Sequence, residues 1–249
     1  MEGFVGLDPA RSLIVVSLRG SHSIRNFLAD FVFPQISCPL TQGCLVHVGF
    51  WASWLQIRAA VITAVASAAA RHPDFAVVVT GHSLGGAVGH LAASALRTMG
   101  VDCDLYTYGS PRVGNLVLTR FLGSQAGAEY RVTHAADPVP RLPPLIFNYR
   151  HTSPEYWVYG ADVNAIRVCE GSASVGCNAG SRGFDIDAHS DYFGRIGACA
   201  PGGSPPLRRA ARDLSESQIA DKVDELAVLD WAFAAELEKE GDSSDKSEN

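Results

Sequence analysis

One short stretch decides the fold of this chain: Thr80-Gly81-His82-Ser83-Leu84-Gly85-Gly86. It follows the apolar run 75–79 and precedes an Ala-rich segment, 87–99, whose pattern is typical of a helix. A serine between glycines at such a junction is predicted to lie at the tip of a tight strand-to-helix turn. The glycines lack a Cβ, so the strand and the helix can approach closely. Ser83 is therefore a candidate nucleophile beside the positive end of a helix.

The composition suits a single globular domain with a sizeable core, since 47% of the 249 residues are hydrophobic and 18% are charged. The formal net charge is −6, and basic residues cluster only at Arg208-Arg209. We therefore do not expect nucleic acid or an anionic membrane as a main partner. No apolar run approaches the roughly 20 residues that span a bilayer, so no transmembrane segment is expected. The first residues also lack the pattern of a signal peptide.

Strand-like and helix-like segments alternate along most of the chain. Strands are predicted at 4–7, 13–18, 46–48, 75–79, 105–108, 130–134 and 156–158, and helices at 51–71, 87–99 and 115–121. The first two strands read as a hairpin whose second strand is central. This alternation predicts an α/β fold with a mostly parallel central sheet and helices on both faces. Ligands of such sheets bind at the carboxyl ends of the strands.

A catalytic serine needs a histidine base and a carboxylate that orients it. In α/β-hydrolases these groups follow in the order serine, acid, histidine. Asp137 is the best-placed acid after Ser83, because it directly follows the strand 130–134 and precedes a proline that keeps it in a loop. His151 and His189 remain as candidates for the base, and the position of His189 in a late loop favours it.

A tetrahedral intermediate also needs an oxyanion hole. One donor is predicted to be the backbone N–H of Leu84, the residue after the nucleophile. The second is predicted to come from Ser21, in a Gly-containing loop that follows the strand 13–18 at the same edge of the sheet.

The segment 24–33 carries apolar residues at helical spacing. Ile24, Phe27, Leu28 and Phe31 fall on one face. Composition alone favours a core helix. The alternative is a lid whose apolar inner face covers a hydrophobic site.

Four of the six cysteines enclose short loops, Cys38 with Cys44 and Cys169 with Cys177. Both spacings allow a local disulfide, which points to an oxidising compartment although no signal peptide is visible. No Cys-x-x-Cys pair is present, so we expect no zinc site, and no other metal or organic cofactor is implied.

The composition changes near residue 200. The segment 201–206 reads as a Pro/Gly linker. An amphipathic helix is then marked by Ile219, Val223, Leu226, Leu229, Phe233 and Leu237. The polar residues 241–249 are predicted to be disordered. We therefore divide the chain into a domain at 1–199 and an appended segment at 200–249.

The chain resembles the fungal class 3 lipases, which include secreted triacylglycerol lipases and feruloyl esterases. The resemblance lies in blocks that keep the family's order between about residues 4 and 199. They are Leu18-Arg19-Gly20-Ser21, Val46-His47-Val48-Gly49-Phe50, 79–86, 106–115, Arg131-Val132-Thr133-His134 with 137–144, 153–157, and His189 with Tyr192-Phe193-Gly194.

The resemblance implies a role for each of these positions. Ser83 would be the nucleophile, Asp137 the orienting acid and His189, rather than His151, the base. Ser21 and Leu84 would be the oxyanion donors. The lid would run from Ser23 to about Phe31 and include Ile24, Phe27 and Leu28.

The resemblance also bears on the cysteines and the chain start. It implies a disulfide between Cys38 and Cys44, and one between Cys169 and Cys177 as in the feruloyl-esterase branch. Cys199 resembles half of a bridge to an N-terminal cysteine that has no counterpart here, so Cys199 and Cys103 are expected to be free. We expect the chain to lack the N-terminal part of the family pattern, which comprises a secretory peptide, an opening helix and early strands.

The activity expected from these residues and from the resemblance is hydrolysis of carboxylic esters through an acyl-enzyme. The apolar lid, with Leu145 and Ile146 beside the Asp137 loop, suggests an acyl-binding groove and favours glycerolipids, met at a lipid–water interface. The alternatives are a feruloyl-esterase-like hydrolase of short esters and a truncated, non-catalytic product. Secretion is expected from the resemblance alone.

Overall fold

The computed structural model describes residues 1–20, 33–160, 162–181, 183–196 and 215–245, and in the last helix it describes the side chains of 217–237 and 239. A seven-stranded sheet forms its centre. The strands of this sheet and of a small two-stranded one are β1 (Gly3–Asp8), β2 (Leu13–Leu18), β3 (Gln35–Ser37), β4 (Leu45–His47), β5 (Ala76–His82), β6 (Cys103–Tyr108), β7 (Glu129–His134), β8 (Glu155–Val158) and β9 (Ile166–Cys169).

The order of strands in the large sheet is β1-β2-β5-β6-β7-β8-β9. The strands β2, β5, β6, β7 and β8 run parallel, and β1 and β9 add antiparallel edges. The predicted α/β fold with a mostly parallel sheet is confirmed. Its parallel strands place the residues that follow β5 and β7 at one edge. The edge strand β9 was not predicted, because three of its four side chains are exposed and give no apolar pattern.

Among the described residues before 197, the α-helices are α1 (Val48–Arg71), α2 (Leu84–Thr98) and α3 (Leu116–Gly123). Helix α1 begins three residues earlier than predicted, because the His47 side chain accepts the Gly49 N–H at 3.1 Å and caps the first turn. Helix α3 is capped in the same way by Asn115, which accepts from the Leu118 N–H.

Helix α1 is the one helix in the described part of the chain that is long and apolar enough to cross a membrane by length and composition. This is weak evidence for a span, because a core helix of a soluble protein passes the same test. Phe50, Trp54, Val61 and Val65 on one face of α1 are buried in the protein. They pack into the main core with apolar residues of β2, β5 and α2.

A long C-terminal helix, α4 (Glu216–Asp245), packs near the end of the sheet that carries the loop after β7. Ile219 and Val223 on its apolar face are buried against Val139 and Leu142. Burial of each such side chain contributes about 1.5–3 kcal/mol. The helix continues to Asp245, past residue 241, where the polar tail was predicted to begin.

The cysteines of the two short loops are bonded as expected, Cys38 to Cys44 and Cys169 to Cys177. Cys103 is buried and forms no disulfide with another described cysteine. Cys199 lies outside the described residues.

Candidate active site

Ser83 lies in the turn between β5 and α2, with φ 56° and ψ −127°. A positive φ at a residue with a Cβ costs about 1–3 kcal/mol and persists only where the surroundings enforce it. Here the Ser83 N–H donates to the Tyr108 carbonyl at 2.9 Å, and the Ser83 carbonyl accepts from the Gly86 N–H at 2.9 Å. The turn is therefore held by hydrogen bonds from both sides, and Ser83 is only 4% exposed.

The glycines of the turn are required by close backbone contacts. A Cβ on Gly81 would collide with the main chain of Gly85, and a Cβ on Gly85 would collide with the carbonyl of Leu18 at the end of β2. A Cβ on Gly86 would lie 2.8 Å from the Cβ of Ser110. The Gly-x-Ser-x-Gly-Gly pattern therefore lets β2, β5 and α2 meet at the serine.

Asp137 is fully buried in the loop that follows β7. Its Oδ1 accepts the N–H of Val139 at 2.9 Å, and its Oδ2 accepts the hydroxyl of Tyr192 at 2.5 Å. His189 completes the set, because its Nδ1 lies 2.8 Å from Oδ2 and 2.9 Å from Oδ1 of Asp137. The carboxylate is thus held by three donors in a site without exposed surface.

His189 lies in a 3-10 turn, Ala188–Ser190, and its side chain is fully buried. Since a carboxylate accepts hydrogen bonds, Asp137 fixes the proton of the neutral imidazole on Nδ1. The other ring nitrogen, Nε2, is buried and makes no hydrogen bond to any described residue. In an imidazole paired with a carboxylate through Nδ1, Nε2 is the nitrogen that can accept a proton.

Arg141 connects the loop that carries Asp137 to the segment that leads to His189. The guanidinium of Arg141 donates to the carbonyl of Ala136, beside Asp137, at 3.1 Å. It also donates to the carbonyls of Ser181 at 3.1 Å and of Gly183 at 2.5 Å. Burial lowers the pKa of Arg141 from its ordinary value. The two loops therefore share one structural cation.

The remaining histidine candidate, His151, lies apart from this pair. It is buried, and its Nε2–H donates to the carbonyl of Pro140 at 2.7 Å. Burial lowers its pKa well below the ordinary value, so its ring is neutral. The structure thus brings Asp137 together with His189 and uses His151 as a hydrogen-bond donor to the backbone.

The other predicted site residues occupy different environments. Leu84 is the first residue of α2, so its N–H lies at the N-terminus of that helix beside Ser83. Leu145 is fully buried, and its N–H donates to Asp230 of α4, whereas Ile146 is 42% exposed. Ser21 and the predicted lid residues lie outside the described residues. These lid residues are Ser23, Ile24, Phe27, Leu28 and Phe31.

Two residues at the site had no role in the sequence analysis. Tyr192 follows His189 by three positions and donates to Asp137, and burial raises the pKa of Tyr192 well above the ordinary value. Gly109, directly after β6, has a φ of 57°. A Cβ on it would lie 2.9 Å from both the Asp137 Oδ2 and the Tyr192 hydroxyl and 3.0 Å from the His189 Cε1. The only sequence signal was that both residues stand within the blocks that resemble the family.

No group of three or more His, Cys, Asp or Glu side chains that could hold a metal ion occurs in the described part of the chain. The site comprises a buried carboxylate, an imidazole whose Nε2 makes no hydrogen bond to a described residue, and a serine in a strained turn at the same sheet edge. This fold is that of an α/β-hydrolase, with Ser83 at the strand-to-helix turn where such enzymes carry their nucleophile.

Comparisons with known proteins assign the family. The family model for lipase (class 3) matches residues 15–147, which is just over half of the chain. A secreted mono- and diacylglycerol lipase 1 of Fusarium solani is 48% identical over 240 residues, which cover 94% of this chain and 71% of that protein. The secreted mono- and diacylglycerol lipase A of Penicillium cyclopium is 40% identical over 213 residues, and this match covers 82% of this chain and 69% of that protein.

A solved structure agrees with these sequence matches. The crystal structure of a mono- and diacylglycerol lipase from Aspergillus oryzae superposes with a TM-score of 0.73 and 40% sequence identity. The match covers 77% of this chain and 75% of the chain in that structure. The chain therefore belongs to the class 3 lipase family and is an ester-hydrolysing enzyme.

Proposed function

We propose that this enzyme hydrolyses the ester bonds of glycerolipids with Ser83, Asp137 and His189 as its catalytic triad. The observation that carries the proposal is the buried pair of His189 Nδ1 and Asp137, 2.8 Å apart, with the His189 Nε2 left bare. A neutral imidazole in this state takes a proton from a serine hydroxyl.

The reaction proceeds by acyl transfer in two steps. His189 Nε2 takes the proton of the Ser83 hydroxyl as its oxygen forms a bond to the ester carbonyl carbon. His189 then gives this proton to the leaving alcohol as the tetrahedral intermediate collapses to the acyl-enzyme. Water, activated by the same nitrogen, forms the acid and releases Ser83. Asp137 stays ionised and stabilises the imidazolium.

The oxyanion is proposed to be held by the N–H of Leu84 and by Ser21. The position of Leu84 as the first residue of α2 supports its role, since the N-terminus of a helix favours developing negative charge. For Ser21 the proposal rests on the family resemblance, as does the proposal that the segment from Ser23 to about Phe31 is a lid.

The substrate class is proposed from the relatives and from the surface near the acid. The relatives from Fusarium and Penicillium are named as lipases of mono- and diacylglycerols. Ile146 and Phe147 are exposed apolar side chains, 42% and 49%, in the turn that follows the Asp137 loop, and suit an acyl chain. We propose Leu145 as the buried support of this turn. Secretion is proposed because these relatives are named as secreted and because the chain carries two disulfides.

The proposal is tested by hydrolysis of monoacylglycerols, diacylglycerols and p-nitrophenyl esters from acetyl to palmitoyl, with methyl ferulate for comparison. We expect Ser83→Ala to reduce kcat by roughly 10⁶-fold, because the nucleophile is removed. The control is Ser124→Ala, which is expected to keep full activity because Ser124 is exposed at the end of α3. Activity retained in Ser83→Ala would contradict the proposal, and a preference for methyl ferulate would contradict the substrate class.

A further inference from the structure

The residue that precedes the nucleophile contacts the residue proposed as the base. The Nε2–H of His82 donates to the main-chain carbonyl of His189 at 2.7 Å. The two imidazole rings also pack together, with centroids 4.5 Å apart and an interplanar angle of 42°. His82 is the last residue of β5, so its ring is carried by a central strand of the sheet.

The segment that carries His189 needs such support, because it is a single 3-10 turn with few internal hydrogen bonds. The Ala188 N–H donates to Asp185 Oδ1 at 3.0 Å, and the Ser190 N–H donates to the Asp187 carbonyl at 2.9 Å. The Asp137 pair fixes Nδ1 of His189 but not the main chain that sets where the ring begins. The contact from His82 fixes the main chain at this residue.

A second histidine at a strand end contacts the preceding carbonyl. His134, the last residue of β7, donates from Nδ1 to the carbonyl of Ala188 at 3.2 Å. Two successive carbonyls of the turn thus accept from imidazoles that stand on two parallel strands. His134 also packs edge-on against Tyr192, with ring centroids 5.8 Å apart.

We propose that His82 is a positioning residue for the base. In this role Ser83 supplies the nucleophile, and its neighbour His82 holds the main chain of His189 in place. The inference rests on the proposed function of Ser83 and His189. His134 assists in the same way through Ala188.

The charge state of His82 agrees with this role. Burial, and then the proximity of His189, lower its pKa to about 4. The groups that face it are His189, Asp137 and Tyr192. A neutral His82 keeps its proton on Nε2, where the carbonyl accepts it, and adds no positive charge next to the imidazolium that His189 becomes during the reaction.

The test separates the hydrogen bond from the ring. His82→Phe keeps an aromatic ring without a donor, and His82→Gln places an amide N–H where Nε2 stood. We expect His82→Phe to lower kcat roughly 10- to 100-fold with KM within about twofold, and His82→Gln to recover kcat to within about threefold of the wild type. His72→Gln, a histidine substitution beyond the end of α1 and far from the site, is the control for general effects.

A kcat of His82→Phe within threefold of the wild type would overturn the inference, as would a folded His82→Gln that is no better than a folded His82→Phe. If His82→Phe does not fold, histidine ring ¹⁵N NMR of the wild type decides. The expected signal is a neutral ring with its proton on Nε2 between about pH 6 and 8, assigned by its loss in His82→Gln. A proton on Nδ1, or titration near the ordinary value of 6.5, would overturn the inference.

The two proposals fail in different ways. Full activity of Ser83→Ala would remove the proposed function whatever His82 does. An inactive Ser83→Ala beside a fully active His82→Phe would leave the triad in place and remove only the positioning role.

Discussion

Gly109 shows how little room the site leaves around Asp137 and His189. Its φ of 57° favours glycine, and the space that a Cβ would take is bounded by Asp137, Tyr192 and His189. At the scale of the single residue, the absence of a side chain at Gly109 is therefore a requirement for the arrangement of Asp137, Tyr192 and His189.

We predict that Gly109→Ala lowers kcat by roughly 10²-fold, because the methyl group must displace the Asp137 and His189 side chains by a few tenths of an ångström or more. Steady-state kinetics with p-nitrophenyl butyrate measures the effect. Gly100→Ala is the matched control, since Gly100 also has a positive φ, of 81°, but nothing lies within 4 Å of the added Cβ.

Both variants carry the strain of a positive φ, so both are expected to lose stability. Only Gly109→Ala is expected to lose activity in the folded enzyme. Equal kcat values for the two variants would show that the arrangement of Asp137 and His189 does not depend on the space at Gly109.

At the scale of the element, helix α4 is joined to the rest of the protein by a buried ion pair. The Arg112 guanidinium donates to Asp230 Oδ2 at 2.7 Å and to Oδ1 at 3.0 Å, and both side chains are about 1% exposed. Arg112 also donates to the carbonyls of Arg141 and Pro143, and Asp230 accepts the Leu145 N–H at 2.6 Å. The helix is thereby tied to the segment that follows the Asp137 loop.

We predict that Asp230→Asn lowers the free energy of unfolding by about 3–5 kcal/mol, because it leaves the Arg112 charge buried without a counter-charge. Urea denaturation followed by circular dichroism measures this change. Asp221→Asn is the matched control, since Asp221 is exposed on the same helix. Its effect is expected to stay within about 0.5 kcal/mol.

A loss for Asp230→Asn no larger than that for Asp221→Asn would contradict this prediction. It would mean that the pair adds no net stability beyond the apolar contacts of Ile219 and Val223.

At the scale of the whole molecule, three histidines make folding sensitive to acid. Burial is the first cause that lowers the pKa of His82, His90 and His151. Each ring also contacts a main-chain carbonyl, that of His189, Gly86 or Pro140 respectively. These hydrogen bonds raise the pKa, but burial outweighs them. In the unfolded chain these histidines become protonated near pH 6.5. In the folded protein they become protonated only at lower pH.

We therefore predict that the melting temperature is constant above about pH 7 and falls as the pH decreases from about 6.5 toward 4. The sign follows because the unfolded state binds more protons in this window, so stability rises with pH. Differential scanning calorimetry between pH 8 and 4 measures the trend. A melting temperature that stays level from pH 8 to 5 would contradict the prediction.

The variant His82→Gln supplies a matched comparison. Its melting temperature is expected to depend less on pH than that of the wild type, because one of the three groups no longer titrates. The same slope in both proteins would show that His82 carries no share of the acid sensitivity.

The sequence by itself determined the features that depend on neighbours in the chain. The apolar runs of β2 and β5 and the glycines around Ser83 have local steric meaning. Together with the alternation of strands and helices, they predicted the parallel sheet and the turn. Chain order and position after a strand also favoured Asp137 as the acid and left His189 and His151 as candidates for the base, between which the family resemblance decided. The structure places the side chains of Asp137 and His189, 52 positions apart, in direct contact.

Only the tertiary structure decided which side chains meet across long distances. The contacts of His82 with His189, of Tyr192 with Asp137, and of Arg112 with Asp230 join residues 107, 55 and 118 positions apart. A lone histidine, tyrosine or aspartate carries no local signal of its partner, because hydrogen bonds and ion pairs form wherever the fold brings two groups together. The edge strand β9 and the docking of α4 could not be predicted from the sequence for the same reason. Both depend on a surface that exists only after the sheet has formed.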